Sequence, residues 1–290
     1  MGNLIRAEFR KILTTKLWWA LLIPTVLTAL GWSLATGAIG KGVVDAAGSS
    51  NDLRELTRLL GLQPEQWKVS VFGIARSINV ATIFAILFGG LAISSEIYRK
   101  TITTTFLTAP NRGSAIAAKM IVYAFWGLVY GVVIVGVVSI GISLSSDSNA
   151  LPEAGDWFAL AGAGVLETVL VTLLGVGVGA LLVNVVGATV SLLLYMLIIE
   201  NVLVLWLTQY AQHLSAFLPN GSADGITGSV AANVFTATAA NLPDTGKDIA
   251  RAFAGGLGAF DWWASALMLF VWTLIFFGGG WLATQRRDIT

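Results

Sequence analysis

The sequence of residues 120–144 is MIVYAFWGLVYGVVIVGVVSIGISL, a stretch without a charged side chain. It exceeds the roughly 20 apolar residues that a helix needs to cross the hydrocarbon layer of a membrane. Five other apolar stretches approach or exceed this length, so six transmembrane helices are predicted. The predicted helices are residues 17–39, 78–95, 120–144, 158–183, 188–207 and 262–284.

The composition also favours a membrane protein. Of the 290 residues, 56% are hydrophobic and 11% are charged, whereas a soluble domain carries about 25% charged residues. The net charge of +1 argues against a nucleic-acid partner, because proteins that bind nucleic acids usually present a basic surface. We predict an all-α integral membrane protein with one transmembrane domain over residues 1–290.

Residues 1–16 have the pattern of an amphipathic helix. Apolar residues recur at helical spacing on one face and basic residues cover the rest; these residues are Ile5, Phe9, Ile12 and Leu13, and Arg6, Arg10 and Lys11. The pattern predicts an interfacial helix that lies in the headgroup layer with its apolar face towards the lipid. The alternative is that it extends the first transmembrane helix into water.

The distribution of charge predicts the orientation. Residues 1–16, 96–119 and 285–290 each carry more basic than acidic side chains, whereas residues 40–77, 145–157 and 208–261 taken together carry more acidic ones. Basic segments next to transmembrane helices stay in the cytoplasm. We therefore expect cytoplasmic termini, in agreement with an even number of crossings, and an extracytoplasmic location for residues 40–77 and 208–261.

Few motifs point to chemistry within this chain. It has no G-x-x-x-x-G-K-S/T phosphate loop, no H-E-x-x-H zinc motif and no G-x-S-x-G nucleophile motif. It has no cysteine, and its single histidine, His213, cannot form a histidine-rich metal site. Small-residue patterns at residues 127–131 and 175–179 allow close helix approach without identifying the partner helices.

Two glutamates lie within predicted transmembrane helices. They are Glu167 and Glu200, and Asn201 follows the second. A charged group in hydrocarbon is costly, so these side chains should face protein or water, or be protonated. One interpretation is a polar patch on a substrate path or a proton-sensitive switch; the other is hydrogen bonding between helices. For Glu167 we favour the structural interpretation, because it lies close to the predicted outer end of its helix.

The sequence of residues 96–119 is EIYRKTITTTFLTAPNRGSAIAAK. This segment resembles the first intracellular loop of ABC-2 type transporter permeases, in which a glutamate follows the second helix and a lysine opens the third. The matching positions are Glu96, Tyr98, Arg99, the Thr-rich run at residues 101–105, Pro110, Arg112 and Lys119. Lys100 replaces the usual glycine before the first threonine, so a differently shaped turn is expected.

The resemblance implies a permease subunit of an exporter in the bacterial plasma membrane. Two permeases, identical or related, would form the path for an amphipathic or apolar substrate. A separate cytoplasmic ATPase would bind ATP and Mg²⁺, and this chain would be neither an enzyme nor a cofactor-binding protein. Residues assigned to ATPase coupling are Glu96, Arg99, Thr101, Ile102, Phe106, Leu107, Pro110 and Arg112. Those assigned to a possible translocation path are Glu167, Glu200 and Asn201.

Other functions remain open at this point. The basic loop could instead lie against anionic lipid headgroups. The chain could be a membrane enzyme that acts on a lipid-linked substrate through Glu167 or Glu200, or a membrane anchor or sensor that transports nothing.

The predicted topology can be tested by cysteine labelling, because the chain has no cysteine. In intact cells, we expect Asn111→Cys to resist a membrane-impermeant thiol reagent, since residues 96–119 should be cytoplasmic. The same reagent should label it once the membrane is permeabilised. Labelling of Asn111→Cys from outside intact cells would show that residues 96–119 face the outside and would contradict the predicted topology.

Overall fold

The computed structural model describes residues 1–49, 67–101, 111–182, 184–207, 212–238 and 243–286. These residues form helices, and no strand occurs among them. The helices are α1 (Gly2–Thr14), α2 (Leu17–Ser49), α3 (Ser70–Tyr98), α4 (Arg112–Ser145), α5 (Ala154–Leu182), α6 (Val185–Leu194), α7 (Glu200–Leu207), α8 (Pro219–Thr238), α9 (Asp244–Ala254) and α10 (Trp262–Arg286). A π-helical turn (Tyr195–Ile199) joins α6 to α7, and short 3₁₀ helices span Ser148–Ala150 and Gln212–Phe217.

Six of the described helical segments are long and apolar enough to cross a membrane. They are Leu17–Ala46, Ser70–Tyr98, Gly113–Ser145, Ala154–Leu182, Val185–Val204 and Trp262–Ala283. Each overlaps one of the six predicted segments, so the all-α class and the six long apolar helices are confirmed. The chain is accordingly described as a multi-pass membrane protein.

Helices α3 and α5 lie at the centre of the bundle. In their most apolar parts, 78% of the residues of α3 and 61% of those of α5 are buried, against 17% in each of α2 and α10. A Cβ atom at Gly89 of α3 would collide with the carbonyl oxygen of Thr172, and one at Gly175 of α5 would collide with the carbonyl oxygen of Ile86. Glycine at these positions therefore lets the two backbones touch.

Glycine also mediates the contacts of α5 with its other neighbours. On α4, an added Cβ at Gly127 or Gly131 would lie 3.0 Å from the Cα atom of Val169 or Val165, respectively. On the opposite side of α5, a Cβ at Gly177 would lie 2.8 Å from a backbone nitrogen of α10. Helix α5 is thus held at close range by three helices.

Helix α1 packs on the bundle through its apolar face. Ile12 is buried, and Ile5 and Phe9 pack against the same apolar cluster. The ring of Phe9 contacts that of Phe125 on α4 in an edge-on arrangement, with 5.1 Å between centroids. Part of the predicted apolar face thus packs on protein, whereas Leu13 of the same face is exposed; the position of α1 in the headgroup layer stays a prediction. Arg6 and Arg10 are exposed on the other side of the helix.

The two ends of the described chain lie at the same end of the bundle. Gly113 at the start of α4 leaves space for the ring of Trp281 near the end of α10, and α1 packs on α4 nearby. We call this the α1 end. At the opposite end, which we call the α9 end, Lys41 of α2 forms an ion pair with Asp147 at 2.8 Å.

The chain between α7 and α10 enters the bundle from the α9 end. The indole nitrogen of Trp272 donates a hydrogen bond to the carbonyl oxygen of Phe217 at 2.7 Å. Trp272 lies ten residues into α10, or about 15 Å along the helix. Further along the chain, Gly225 of α8 approaches Ser265, close to the start of α10. Residues 212–238 therefore form a re-entrant segment. Phe217 lies beside the middle of α10, and α8 runs from there back towards the α9 end.

Within residues 208–261, which the sequence analysis expects to be extracytoplasmic, no helix inside the bundle was predicted. Helix α8 has 20 residues, and Ile226 and Ala231 are fully buried among α3, α5 and α10. It was not predicted because its many Gly, Ala, Ser, Thr and Asn residues give it little apolar character.

The last turn of α3 ends in a tight motif before the loop of residues 102–110. Lys100 has a φ of 57°, in the left-handed region that favours glycine. The amide of Thr101 donates to the carbonyl of Glu96 at 2.9 Å, and that of Lys100 donates to Ile97 at 3.0 Å. These two bonds define a Schellman motif. The lysine therefore adopts a backbone conformation that glycine would adopt without strain.

The central contact yields a stability prediction. We expect Gly175→Ala to lower stability by about 1–3 kcal/mol, because the new methyl group overpacks the contact with α3. Thermal unfolding in detergent measures this change. Gly162→Ala on the same helix is the matched control, since nothing lies within 4 Å of its Cβ position. Equal unfolding temperatures for the two variants would show that the close contact is not required.

Candidate functional site

Four charged side chains form an ion cluster at the α1 end. Glu8 of α1 accepts from Lys11 and from Lys119 of α4, each at 2.6 Å. Glu96 at the end of α3 accepts from Lys119 at 2.9 Å and from Lys11 at 3.1 Å. We call these residues the α1-end ion cluster. It joins α1, α3 and α4 where the loop of residues 102–110 begins and ends.

The cluster is largely removed from solvent. Glu8 and Lys119 are each 4% exposed, so their charges depend on one another for compensation. The second carboxylate oxygen of Glu96 is buried and has no hydrogen-bond partner in the part of the chain that is described. The cluster thus pairs two acids with two bases, and within the described residues one carboxylate oxygen of Glu96 has no hydrogen-bond donor.

The neighbours of Glu8 determine the direction in which its pKa is shifted. Burial raises the pKa of Glu8, but the positive charges and hydrogen bonds of Lys119 and Lys11 outweigh burial and hold the pKa below its usual value. Glu8 is the only acidic residue among residues 1–16. That isolation is the signal that could have identified it, although the sequence does not indicate which base it contacts.

The structure places the predicted coupling residues differently around this cluster. Glu96 belongs to it, and Arg99 and Thr101 are exposed beside it. Arg112 is the first residue of α4. The remaining predicted coupling residues, Ile102, Phe106, Leu107 and Pro110, lie outside the described residues.

A second group of buried polar side chains lies towards the α9 end. The hydroxyl of Thr227 on α8 lies 2.8 Å from Glu167 Oε2 on α5 and 2.7 Å from Asn79 Oδ1 on α3. Glu167 and Thr227 are fully buried. We call these three residues the Glu167 triad. It joins three helices by hydrogen bonds, as the structural interpretation of Glu167 expects.

Glu167 lies deeper than the sequence analysis expected. Helix α5 begins at Ala154, which places Glu167 about 20 Å along it. The helix extends beyond the apolar stretch used to predict its outer end, because residues 154–157 contribute an additional turn. The triad therefore lies within the bundle and not at its surface.

Glu200 binds the beginning of α8. Its carboxylate accepts hydrogen bonds from the backbone amides of Asn220 at 2.9 Å and Gly221 at 2.5 Å. The hydroxyl of Tyr195 also donates to it. The first amides of a helix have no partner within the helix, and they carry partial positive charge. The side chain of Glu200 caps α8 from another helix.

The sequence near Gly221 makes this cap possible. Pro219 is the first residue of α8, a position that suits proline because no amide is needed there. A Cβ atom at Gly221 would collide with the carbonyl oxygen of Ser215. Glycine thus allows the chain to approach both Ser215 and Glu200.

Asn201 has a local role beside Glu200. Its side-chain amide donates to the carbonyl oxygens of Met196 and Leu197, each at 3.0 Å. Both carbonyls belong to the π-helical turn, where backbone hydrogen bonds depart from the α-helical pattern. Asn201 itself is exposed on the bundle surface. The side chain therefore satisfies the backbone next to the cap.

Arg76 ties α9 to α3. Its guanidinium donates to the carbonyl oxygens of Ala252 at 3.0 Å and Phe253 at 3.1 Å, which belong to the last turn of α9. A positive charge at a helix C-terminus is favourable. Together with the Glu200 cap and the Glu167 triad, this contact attaches residues 212–256 to the bundle through polar groups.

No group of three or more His, Asp and Glu residues in the described ranges could hold a metal ion. No protein-family model matches the chain, and no curated protein sequence matches it. Function is therefore inferred from the residues and their geometry.

The α1-end ion cluster gives a pH-dependent prediction. We expect Glu8→Gln to destabilise the protein by about 3 kcal/mol at neutral pH, because it leaves buried Lys119 with one acidic partner fewer. Since the pKa of Glu8 is lowered in the folded state, its contribution is present above about pH 4.5. The contribution is lost as pH falls through the lower folded value.

The measurement is thermal unfolding in detergent over a series of pH values. The difference between wild type and Glu8→Gln should be constant above about pH 4.5 and shrink in more acidic solution. Glu153→Gln, at an exposed position near the α9 end, should change little at any pH. A difference that is independent of pH would contradict the role assigned to the Glu8 charge.

Proposed function

We propose that this protein is the permease subunit of an ABC-2 type exporter, paired with a second permease and driven by a separate cytoplasmic ATPase. The observation that carries the proposal is the α1-end ion cluster. It joins α1, α3 and α4 at the base of the loop that resembles the ATPase-coupling loop of this family. An element that transmits force needs such a rigid attachment.

The coupling argument follows from the contacts of the cluster. Glu96 and Lys119 hold the two ends of the loop together at 2.9 Å, and Glu8 connects them to α1. A displacement of the loop would therefore move α1, α3 and α4 together. Glu96 acts as an attachment within the permease, while Ile102, Phe106 and Leu107 would contact the ATPase.

The proposal also includes an orientation of the bundle in the membrane. With the α1 end in the cytoplasm of a bacterium and the bundle in its plasma membrane, α1 and the loop face the ATPase. That ATPase binds ATP and Mg²⁺, and the present chain supplies neither a phosphate loop nor catalysis. Arg99 and Lys100, which are exposed beside the loop, supply positive charge to the same surface.

The substrate would pass between two permease subunits, identical or related. Few residues of helices α2 and α10 are buried, and each helix leaves large apolar side chains available to lipid or to a second permease; examples are Leu27 and Leu282. An apolar or amphipathic substrate suits such surfaces. Glu167, Glu200 and Asn201 would support the outer part of the path through α8 without lining it.

The same contacts weigh against a membrane enzyme. Both buried carboxylates are used in contacts between helices: Glu200 accepts two backbone amides, and Glu167 contacts Thr227. A catalytic acid or base instead needs access to substrate.

The coupling loop can be tested with Phe106→Ala. We expect this variant, purified from its native host, to lose a co-purifying ATP-hydrolysing protein that contains a phosphate loop and binds the wild type. Ile102→Ala combined with Phe106→Ala should lose it completely, because two of the apolar side chains proposed to contact the ATPase would be gone. Membrane insertion should be unchanged.

Phe158→Ala is the matched control, since Phe158 is an exposed phenylalanine at the start of α5, near the α9 end. It should retain the ATPase. Retention of the ATPase by the double variant would refute the docking assignment, and absence of any such ATPase from the wild type would refute the exporter.

A further inference from the structure

Helix α8 contacts two buried glutamates that have different hydrogen-bond donors. Glu200 receives two backbone amides and the hydroxyl of Tyr195. Glu167 contacts a single hydroxyl, that of Thr227, and its Oε1 atom is buried without a partner in the described structure. Both side chains are at most 1% exposed.

The protons available to the Glu167 triad can be counted. Thr227 carries one hydroxyl proton, yet its oxygen lies within hydrogen-bond distance of two acceptors, Glu167 Oε2 and Asn79 Oδ1. One hydroxyl cannot donate to both. A proton on Glu167 completes the triad, because Glu167 then donates to Thr227 and Thr227 donates to Asn79.

The alternative arrangement exchanges the oxygen and nitrogen of the Asn79 amide, so that Asn79 donates to Thr227. Glu167 would then be ionised with one hydrogen bond, and its Oε1 would remain without a partner. Such a buried charge is far more costly than a neutral carboxyl. Burial and geometry therefore favour the proton on Glu167.

We propose that Glu167 is a neutral carboxylic acid whose proton fastens α8 to α5 and α3, so that loss of this proton releases α8 from the bundle. Glu200, in contrast, is ionised and remains at the start of α8. The attachment of the re-entrant segment at Glu167 thus requires a protonated carboxyl group, and its attachment at Glu200 requires a carboxylate. This proposal is independent of the exporter assignment.

The charged groups around the Glu167 triad determine whether α8 loosens as pH rises or as pH falls. Arg76 of α3 is directed to the end of α9, where it binds two carbonyl oxygens. Asp224 of α8 and Glu200 of α7 are acids, and the charge of Asp224 acts on Glu167. Residues 120–145 of α4 and 262–285 of α10 contain no charged side chain. An ionised Glu167 would therefore face a negative neighbour, and α8 should loosen as pH rises.

Asp224 itself must be distinguished from Glu167. Burial raises the pKa of Asp224 to about 7, although the positive charge of Arg76 opposes this change. Its titration could also alter α8, so any test needs Asp224→Asn beside Glu167→Gln. Glutamine keeps the shape of the side chain and can donate to Thr227, but it cannot titrate.

Infrared spectroscopy of the purified protein tests the protonation state. Because Asp224 has a pKa of about 7 and gives a carboxylic-acid band of its own, the measurement is made in the Asp224→Asn background. At neutral pH this variant should have the carbonyl band of a neutral carboxylic acid, separate from the carboxylate bands. The band should disappear when Glu167→Gln is added and persist when Glu200→Gln is added. Absence of the band in Asp224→Asn, its persistence after Glu167→Gln is added, or its loss only with Glu200→Gln would overturn the proposal.

Cysteine labelling in detergent tests the release of α8. Ala231→Cys introduces a thiol on the buried face of α8, and Asn233→Cys introduces one on the exposed face of the same helix. The ratio of their labelling rates reports opening, because thiol ionisation affects both positions. From about pH 6 to about pH 9, this ratio should rise by up to about tenfold per pH unit once Glu167 begins to ionise.

In the Glu167→Gln background the ratio should remain low and independent of pH. A wild-type ratio that does not change with pH would overturn the proposal. A rise that persists in Glu167→Gln and disappears in Asp224→Asn would also overturn it, because Asp224 would then be the titrating group.

Discussion

The backbone contact between α3 and α5 is the constraint on which the rest of the bundle depends. Apolar side chains gain little from leaving lipid for protein, so packing has to come from close approach. Gly89 and Gly175 allow that approach, and Gly177 extends it to α10. Once α3 and α5 touch, Asn79 and Glu167 lie on facing helices within reach of Thr227. The polar interior is therefore a consequence of the glycine contact.

The two ends of the bundle accommodate buried charge in different ways. At the α1 end, opposite charges compensate each other, and Lys119 contacts both Glu8 and Glu96. Towards the α9 end, acids are held by neutral donors, either backbone amides at Glu200 or a hydroxyl at Glu167. Ion pairs resist separation, whereas hydrogen bonds to neutral groups can be exchanged for others. The α1 end is thus suited to transmitting force and the other end to rearranging.

Hydropathy predicted the six long helices because each needs an uninterrupted apolar run, such as residues 120–144. It did not predict α8, whose burial depends on small residues that fit between other helices and not on apolar character. The sequence identified Glu200 and Glu96 as notable, but their partners are distant in the chain: Gly221 lies 21 residues from Glu200, and Lys11 lies 85 residues from Glu96. Partner choice is set by helix packing, which composition does not encode. The predicted docking residues Ile102 and Phe106 lie outside the described residues.

The re-entrant segment has a consequence for biogenesis. Helix α8 is too polar to enter the membrane as an independent helix, because its backbone and hydroxyl groups need protein partners. Two of the residues that surround this segment belong to α10, which the ribosome synthesises later: Trp272 donates to the carbonyl oxygen of Phe217, and Ser265 packs against Gly225. Residues 212–238 should therefore remain outside the bundle during translation and enter it only after α10 has inserted. Helix α10 thus completes the surroundings into which the earlier segment packs.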